Sequence, residues 1–247
     1  MKNYDIIIVG AGAGGVFLSY EFTKLNIDAK VLMLDKGVEL SKRICPLKAG
    51  KTENCIKCNP CHVMNGFGGA GTLSDGKYNI TTKFGGDLHK YVGEKKAIEL
   101  MEYVDKVLCS MGGSEAKLYS TATTDLKTEA LKYDLHLLDA KVRHLGTDRN
   151  REILGKIFCY IRNKIDIKMN TPVDSVKKDG NYFIVKDAFG EEYKAEKVIL
   201  ATGRSGSKWL SGICKNFGIK QIKNRVDIGV RIELPAEIFN HITDEVY

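Results

Sequence analysis

Proline is scarce in this chain, at 4 residues among 247, and no low-complexity tract is present. With charged residues at 28% and hydrophobic residues at 43%, the composition excludes a disordered or collagen-like chain. Long apolar runs are missing as well. The apolar, uncharged stretch at residues 6–20 is shorter than the roughly 18 apolar residues a membrane span needs, and glycines interrupt it. A secretory signal is not expected either, because Asp5 precedes the stretch and no small-residue cleavage site stands outside its glycines. GxSxG, HExxH and Walker motifs are absent, so hydrolase and NTPase chemistry has no residues to rest on. The 7 cysteines, an odd number, suit a reducing compartment better than a disulfide framework, and a cytoplasmic protein without an anchor is expected. The formal charge of +7 is spread over lysine-rich segments rather than gathered in a block. That describes a solvated basic surface, and nucleic acid is not an expected partner.

Glycine is in excess. Of 25 glycines, nine fall in two short segments, residues 10–15 and 66–76. The length suits one large domain, or one domain with part of a second. Residues 4–9, with Ile6, Ile7, Ile8 and Val9 in succession, read as a strand buried on both faces. A glycine turn, a helix over 14–25 and a strand over 30–35 complete a βαβ unit. Residues 37–86 form a Gly- and Cys-rich excursion of the length that is usually functional. Helices are predicted over 94–111, 128–145 and 149–163, the last with Thr147 or Asp148 as its cap. The period then shortens. Strands are predicted over 166–169, 173–177, 182–187 and 192–195, and a buried strand over 197–200; Asp179-Gly180 and Phe189-Gly190 act as hairpin turns. The expected class is α/β, a doubly wound sheet with a three-stranded meander inserted over 166–196 and helical excursions beside it.

Gly10, Gly12 and Gly15, with Ala13 and Gly14 between the last two, satisfy GxGxxG. In such a turn the first glycine permits the tight bend out of the strand, the second lets backbone approach a pyrophosphate, and the third lets helix and sheet pack closely. The phosphates sit at the helix N-terminus, where N–H groups and the helix dipole favour anions. The motif follows a strand, opens a helix, and is followed by Asp35, with Lys36 beside it, at the end of the second strand. That acid suits paired ribose hydroxyls and repels a 2′-phosphate. An NAD domain usually completes its strands without an excursion like 37–86 and an inserted meander. This chain instead reaches a later buried strand ending in Ala201-Thr202-Gly203-Arg204. With these features it resembles the FAD-dependent oxidoreductases of the glutathione-reductase-like superfamily. The resemblance implies FAD with its adenosine ribose on Asp35, its pyrophosphate over residues 10–15, the 201–204 turn near the cofactor, and backbone of Val173 at the adenine.

The second glycine segment, Gly66-Phe67-Gly68-Gly69-Ala70-Gly71-Thr72-Leu73-Ser74-Asp75-Gly76-Lys77, is too rich in glycine for a helix or strand interior. It resembles the loop that runs along the flavin in a family of largely uncharacterised bacterial FAD-dependent dehydrogenases, as do residues 143–148, 203–206 and 226–233. The resemblance implies backbone donors from Gly68, Gly69, Ala70 and Gly71 toward the pyrophosphate and ribityl chain, assisted by the Thr72 and Ser74 hydroxyls. Lys77 and Asp75 face either flavin, substrate or solvent.

Cys45, Cys55, Cys58 and Cys61 place four thiols in one short stretch, the donor set of a Zn site or an iron–sulfur cluster. Redox-active thiols and a reduced, unliganded loop are the alternatives. His62 is a further candidate ligand, and Cys109, Cys159 and Cys214 read as small core residues. Arg143 and His144, before a helix start, are candidates to meet an anionic substrate and, with Lys77, to take part in catalysis; capping is the alternative.

The expectation is an FAD-binding domain over 1–225 that transfers hydride or electrons to a small-molecule substrate or redox partner. No second strand–GxGxxG–helix unit exists, so NAD(P)H enters only as a transient reductant. The alternatives are a flavin/iron–sulfur electron-transfer protein and a flavin-dependent RNA-modifying protein. In the superfamily a late Gly-Asp segment follows the substrate domain. Here the Gly-Asp dipeptide is Gly86-Asp87, so the chain is expected to be an N-terminal portion, with 226–247 opening an incomplete substrate domain.

Overall fold

The β-branched run near the N-terminus forms the centre of a sheet. In β1 (Lys2–Val9), Ile7 and Ile8 point to opposite faces and both are fully buried. Only a strand covered on both sides needs such a continuous apolar run. In the computed structural model, which describes residues 1–122, 124–222, 228–230 and 233–246, the chain divides into two compact units. The first takes residues 1–74 and the described residues from 154 to 223; the second takes 75–153 and those from 224 onward.

In the first unit, β1 is flanked in parallel by β2 (Val31–Leu34) and β9 (Glu192–Leu200), and β6 (Asp166–Lys168) lies parallel to β2. β7 (Val173–Asp179) and β8 (Tyr182–Asp187) continue antiparallel beyond β9, giving the order β6-β2-β1-β9-β8-β7. Ile7, Val9, Leu32, Leu34, Val185, Tyr193, Ala195 and Ile213 of α6 (Ser207–Asn216) pack into one core. Each such aliphatic side chain, fully buried, stabilises by about 1.5–3 kcal/mol. α1 (Ala13–Lys24) follows β1 directly, and Leu154, Ile157 and Ile161 of α5 (Thr147–Ile161) form a buried stripe at helical spacing. Among the described residues no helix is long and apolar enough to cross a membrane.

The α/β class, the parallel sheet and the meander agree with expectation; four boundaries differ. Residues 192–195 and 197–200 are one strand, because β9 pairs with β1 from Lys2↔Tyr193 to Val9↔Leu200 while its first half also pairs with β8. Residues 166–168 leave the meander, because their backbone groups are taken up by β2. The helix expected over 128–145 is only α4 (Leu126–Leu131). It ends at Leu131, three residues before Asp134, whose φ of 57° is left-handed, and residues 141–144 pair as β5 (Lys141–His144) between β3 (Lys77–Ile80) and β4 (Leu118–Ser120). α5 begins at Thr147, so Thr147 and Asp148 lie inside the first turn rather than before it. In the segment expected to open the substrate domain, the boundary at 225 and residues 226, 227, 231 and 232 lie outside the described residues, and 228–230 and 233–235 take no regular structure.

Tyr193 is fully buried, with its hydroxyl 2.7 Å from Glu191 Oε2 and 3.0 Å from Asp187 Oδ2. Burial, then these carboxylates, push that hydroxyl far above its usual range. Lys168 Nζ and Lys2 Nζ donate to Glu191 at 2.9 and 2.6 Å, and with Tyr193 they hold its carboxyl at about 2. A depressed carboxyl contributes stability above its ordinary value near 4.5 and loses it as pH falls toward 2. Urea midpoints of the wild type and Glu191→Gln should therefore differ by a constant amount above pH 4.5 and converge as pH approaches 2.

The second unit holds the antiparallel sheet β3-β5-β4, with α2 (Leu88–Val92), α3 (Glu94–Ser110) and α7 (Ala236–Val246). Ala97, Val107 and Leu108 form the buried side of α3. Asp105 on the same helix receives Arg143 Nε at 2.6 Å and Nη2 at 2.9 Å, and Arg143 Nη1 donates to Ala116 O. The pair is nearly buried, and the hydrogen bonds that Asp105 accepts raise the Arg143 guanidinium further. Removing one member of a buried pair strands the other charge, which costs about 3–5 kcal/mol. Asp105→Asn should lower the urea midpoint by the corresponding amount with an unchanged slope.

Candidate functional site

The turn leaving β1 is shaped by two close approaches. Gly10 has φ of 111°, and a Cβ there would lie 2.3 Å from Ala201 O; a Cβ at Gly15 would lie 2.0 Å from Gly10 O. Neither site accommodates a side chain while the helix stays against the sheet. Gly12 is different. Its backbone, at φ −77° and ψ −170°, suits any residue, and among the described residues a Cβ there would meet only Ala201 O at 3.9 Å. Gly12 is also the cap residue of α1, with no capping side chain and no acid in the first turn. The N-terminal amides and positive dipole end therefore face open space, the arrangement that receives a phosphate.

Asp35, just past β2, closes the turn from behind. Its Oδ2 accepts the Ala11 N–H at 2.8 Å, and its Oδ1 accepts those of Gly37 and Gly66 at 2.7 and 3.1 Å. The second glycine segment lies directly on the first: Gly68 donates its N–H to Ala11 O at 2.8 Å, and a Cβ on Gly69 would lie 2.9 Å from Gly12 Cα. Within the segment, the Gly69 N–H bonds Gly66 O at 2.8 Å, the Thr72 hydroxyl donates to Phe67 O at 2.9 Å and the Ser74 hydroxyl to Gly71 O at 2.6 Å. The Gly68 and Gly69 amides and both hydroxyls thus donate inside the protein, whereas the resemblance aims them at a ligand. Ala70 and Gly71 fall in the 3-10 turn Gly69–Leu73, where a Cβ on Gly71 would meet open space.

The strand end at 200 adds a third wall. The Ala201 N–H donates to Val9 O at 2.7 Å, and Thr202 Oγ1 is buried without a hydrogen-bond partner among the described residues. Gly203 is left-handed at φ 61°, and Arg204 is exposed in a short 3-10 turn. Lys36 Nζ donates to Ser205 O at 3.2 Å, and the Ser205 hydroxyl to Asn65 Oδ1 at 2.7 Å. Residues 10–15, 35–37, 65–69 and 201–205 therefore meet outside the carboxyl ends of parallel strands, where α/β sheets bind their ligands. Val173 opens β7, half-buried against the core, two residues past Thr171, whose N–H bonds Asp35 O at 2.8 Å.

A dinucleotide fits this chemistry. The open cradle over Gly12 and the uncapped α1 terminus suit a pyrophosphate. Asp35, with three donors already on its two oxygens, keeps acceptor capacity for a ribose hydroxyl.

The other candidates lie elsewhere. Arg143 is committed to Asp105 and Ala116 inside the second unit, so it does not present its guanidinium to a substrate. His144 and Lys77 do come together, as directly opposed residues of β5 and β3, with His144 Nε2 3.9 Å from Asp75 Oδ2. The four cysteines are free thiols, and among the described residues no group of three or more His, Cys, Asp or Glu side chains is placed to hold a metal ion. Cys55 is exposed, and His62 Nδ1 lies 3.0 Å from Ile44 O. What orders this stretch is Arg43, fully buried, with its guanidinium on His62 O, Val63 O and Phe67 O. Sequence reasoning missed Arg43, Asn65 and Ser205. Arg43 and Asn65 sit in no motif and Ser205 lies in the 203–206 segment without a role read for it, and each acts through backbone or loop contacts that leave no periodic signal.

No protein family model matches the chain, and no curated protein matches it. Among solved structures it is similar to glycine oxidase from Geobacillus kaustophilus, at 16% identity and a TM-score of 0.51 over 89% of this chain and 60% of that one. It is also similar to L-alpha-glycerophosphate oxidase from Mycoplasma pneumoniae, dithionite-reduced with FAD bound, at 16% identity and a TM-score of 0.49 over 87% of this chain and 58% of that one. The chain spans 55% to 60% of the length of such structures. At this identity the likeness to glycine oxidase is one of fold.

The glycines should separate by stability. Gly15→Ala forces its Cβ onto Gly10 O and should unfold at clearly lower urea, whereas Gly12→Ala should stay within about 1 kcal/mol of wild type, the range of a cap substitution.

Proposed function

We propose that the first unit binds FAD and that the chain is an FAD-dependent oxidoreductase, or part of one, acting on a small molecule or a redox partner. The observation that carries this reading is Gly12. It is a glycine that neither φ nor packing requires, set over an uncapped helix N-terminus on a β1–turn–α1 unit. On this reading the α1 amides hold the pyrophosphate, and Asp35 orients the ribose while disfavouring a 2′-phosphate. The orphaned Thr202 hydroxyl supplies a polar contact to the cofactor. The bound flavin supplies hydride or electron transfer, and the protein supplies position and electrostatics. The fold shared with a glycine oxidase agrees with this class.

The purified chain should show flavin absorption bands, and heat extraction should release FAD. Apo-protein should quench FAD fluorescence on titration, and Gly12→Ala, folded as above, should bind at least tenfold more weakly. A colourless protein that takes up no added FAD overturns the reading.

A further inference from the structure

We infer that Arg43 is a positioning residue of the dinucleotide site, acting through the peptide between Phe67 and Gly68; this rests on the FAD reading above. The C=O and N–H of a trans peptide point in opposite directions. Here the Phe67 carbonyl accepts Arg43 Nη1 at 2.6 Å and the Thr72 hydroxyl at 2.9 Å, while the Gly68 N–H on the other side donates to Ala11 O at 2.8 Å. Ala11 is fully buried between Gly10 and Gly12, and its own N–H is held by Asp35. Both polar groups of Ala11 are thus fixed from behind, one by a carboxylate and one by a peptide whose orientation Arg43 sets.

Arg43 also fixes the approach to that peptide. Its Nε and Nη2 hold His62 O and Val63 O at 3.0 and 2.9 Å, and its stem packs where a Cβ on Gly66 would come within 2.9 Å of Cδ. Gly66 in turn donates to Asp35. A planar fork spanning three carbonyls is a geometry that lysine, with one ammonium on a flexible stem, does not reproduce. Arg43 touches no ligand in this arrangement. It holds the second glycine segment against the fingerprint turn, and so keeps the turn in the shape that presents its amides.

The test uses the 247-residue chain and its Arg43→Lys and Arg43→Met variants, stripped of flavin, with ADP, FAD and adenosine as probes. Both variants should keep the wild-type circular dichroism spectrum and bind ADP and FAD at least tenfold more weakly, about 1.4 kcal/mol, while adenosine affinity changes less than threefold. Amide exchange at 61–69 and 10–12 should accelerate, with that of β2 unchanged. If a variant fails to fold, Phe67→Ala, which keeps the peptide, should retain ADP affinity within threefold; a tenfold loss there would point to packing and overturn the assignment. Equal loss for adenosine and ADP, or unchanged affinity in folded Arg43→Lys, also overturns it. Wild type that binds neither ADP nor FAD defeats the underlying FAD reading instead.

Discussion

The carboxylate of Asp35 joins segments that are far apart in sequence. It accepts N–H groups from Ala11 in the fingerprint turn, Gly37 beyond β2 and Gly66 in the second glycine segment. Hydrogen bonds to a charged acceptor contribute about 1.5–3 kcal/mol each, and an N–H left without one while buried costs a similar amount. The arrangement is therefore mutually enforced: the first turn holds its shape because Asp35 and Gly68 bind Ala11 from both sides, and the second segment holds its place because Asp35 and Arg43 bind it in turn. This is the frame on which any phosphate-binding geometry rests.

Glycine serves three physical purposes in that frame. Gly10 and Gly15 let two backbone stretches approach more closely than a Cβ allows. Gly69 lets the second segment lie on the first, and Gly37 and Gly66 let it lie against residues 37–38 and Arg43, without a side chain between them. Gly12 leaves an opening, because among the described residues only Ala201 O, at 3.9 Å, comes near the place its missing Cβ would take. Only the last purpose points outside the chain; Gly71 shares the open space, but Gly12 is the one at the N-terminus of α1.

The cysteine stretch shows where spacing misleads. Cys55, Cys58 and Cys61 at intervals of three suggest converging thiolates, yet convergence depends on the path of the backbone. That path is set by Arg43 reaching across to the carbonyls of residues 62, 63 and 67 and by Asn65 donating to Cys61 O at 2.9 Å. Arg143 misleads in a related way. Beside a histidine and before a helix it reads as a substrate contact, whereas strand pairing turns it inward to a carboxylate far away in sequence.

The sequence by itself determined the β1–turn–α1–β2 start, the α/β class, the close-packing glycines and the acid at the end of β2, because all are local: periodicity, chain reversal and spacing depend on neighbours. It also placed α3 and α5 within a few residues, since an amphipathic stripe declares itself over several turns. Only the tertiary structure decided that residues 192–200 are one strand, that 141–144 pair as a strand rather than continue a helix, and that the second glycine segment lies on the first. Those outcomes turn on which distant backbone groups find each other, and hydrogen bonds between segments thirty to two hundred residues apart leave no mark on local pattern.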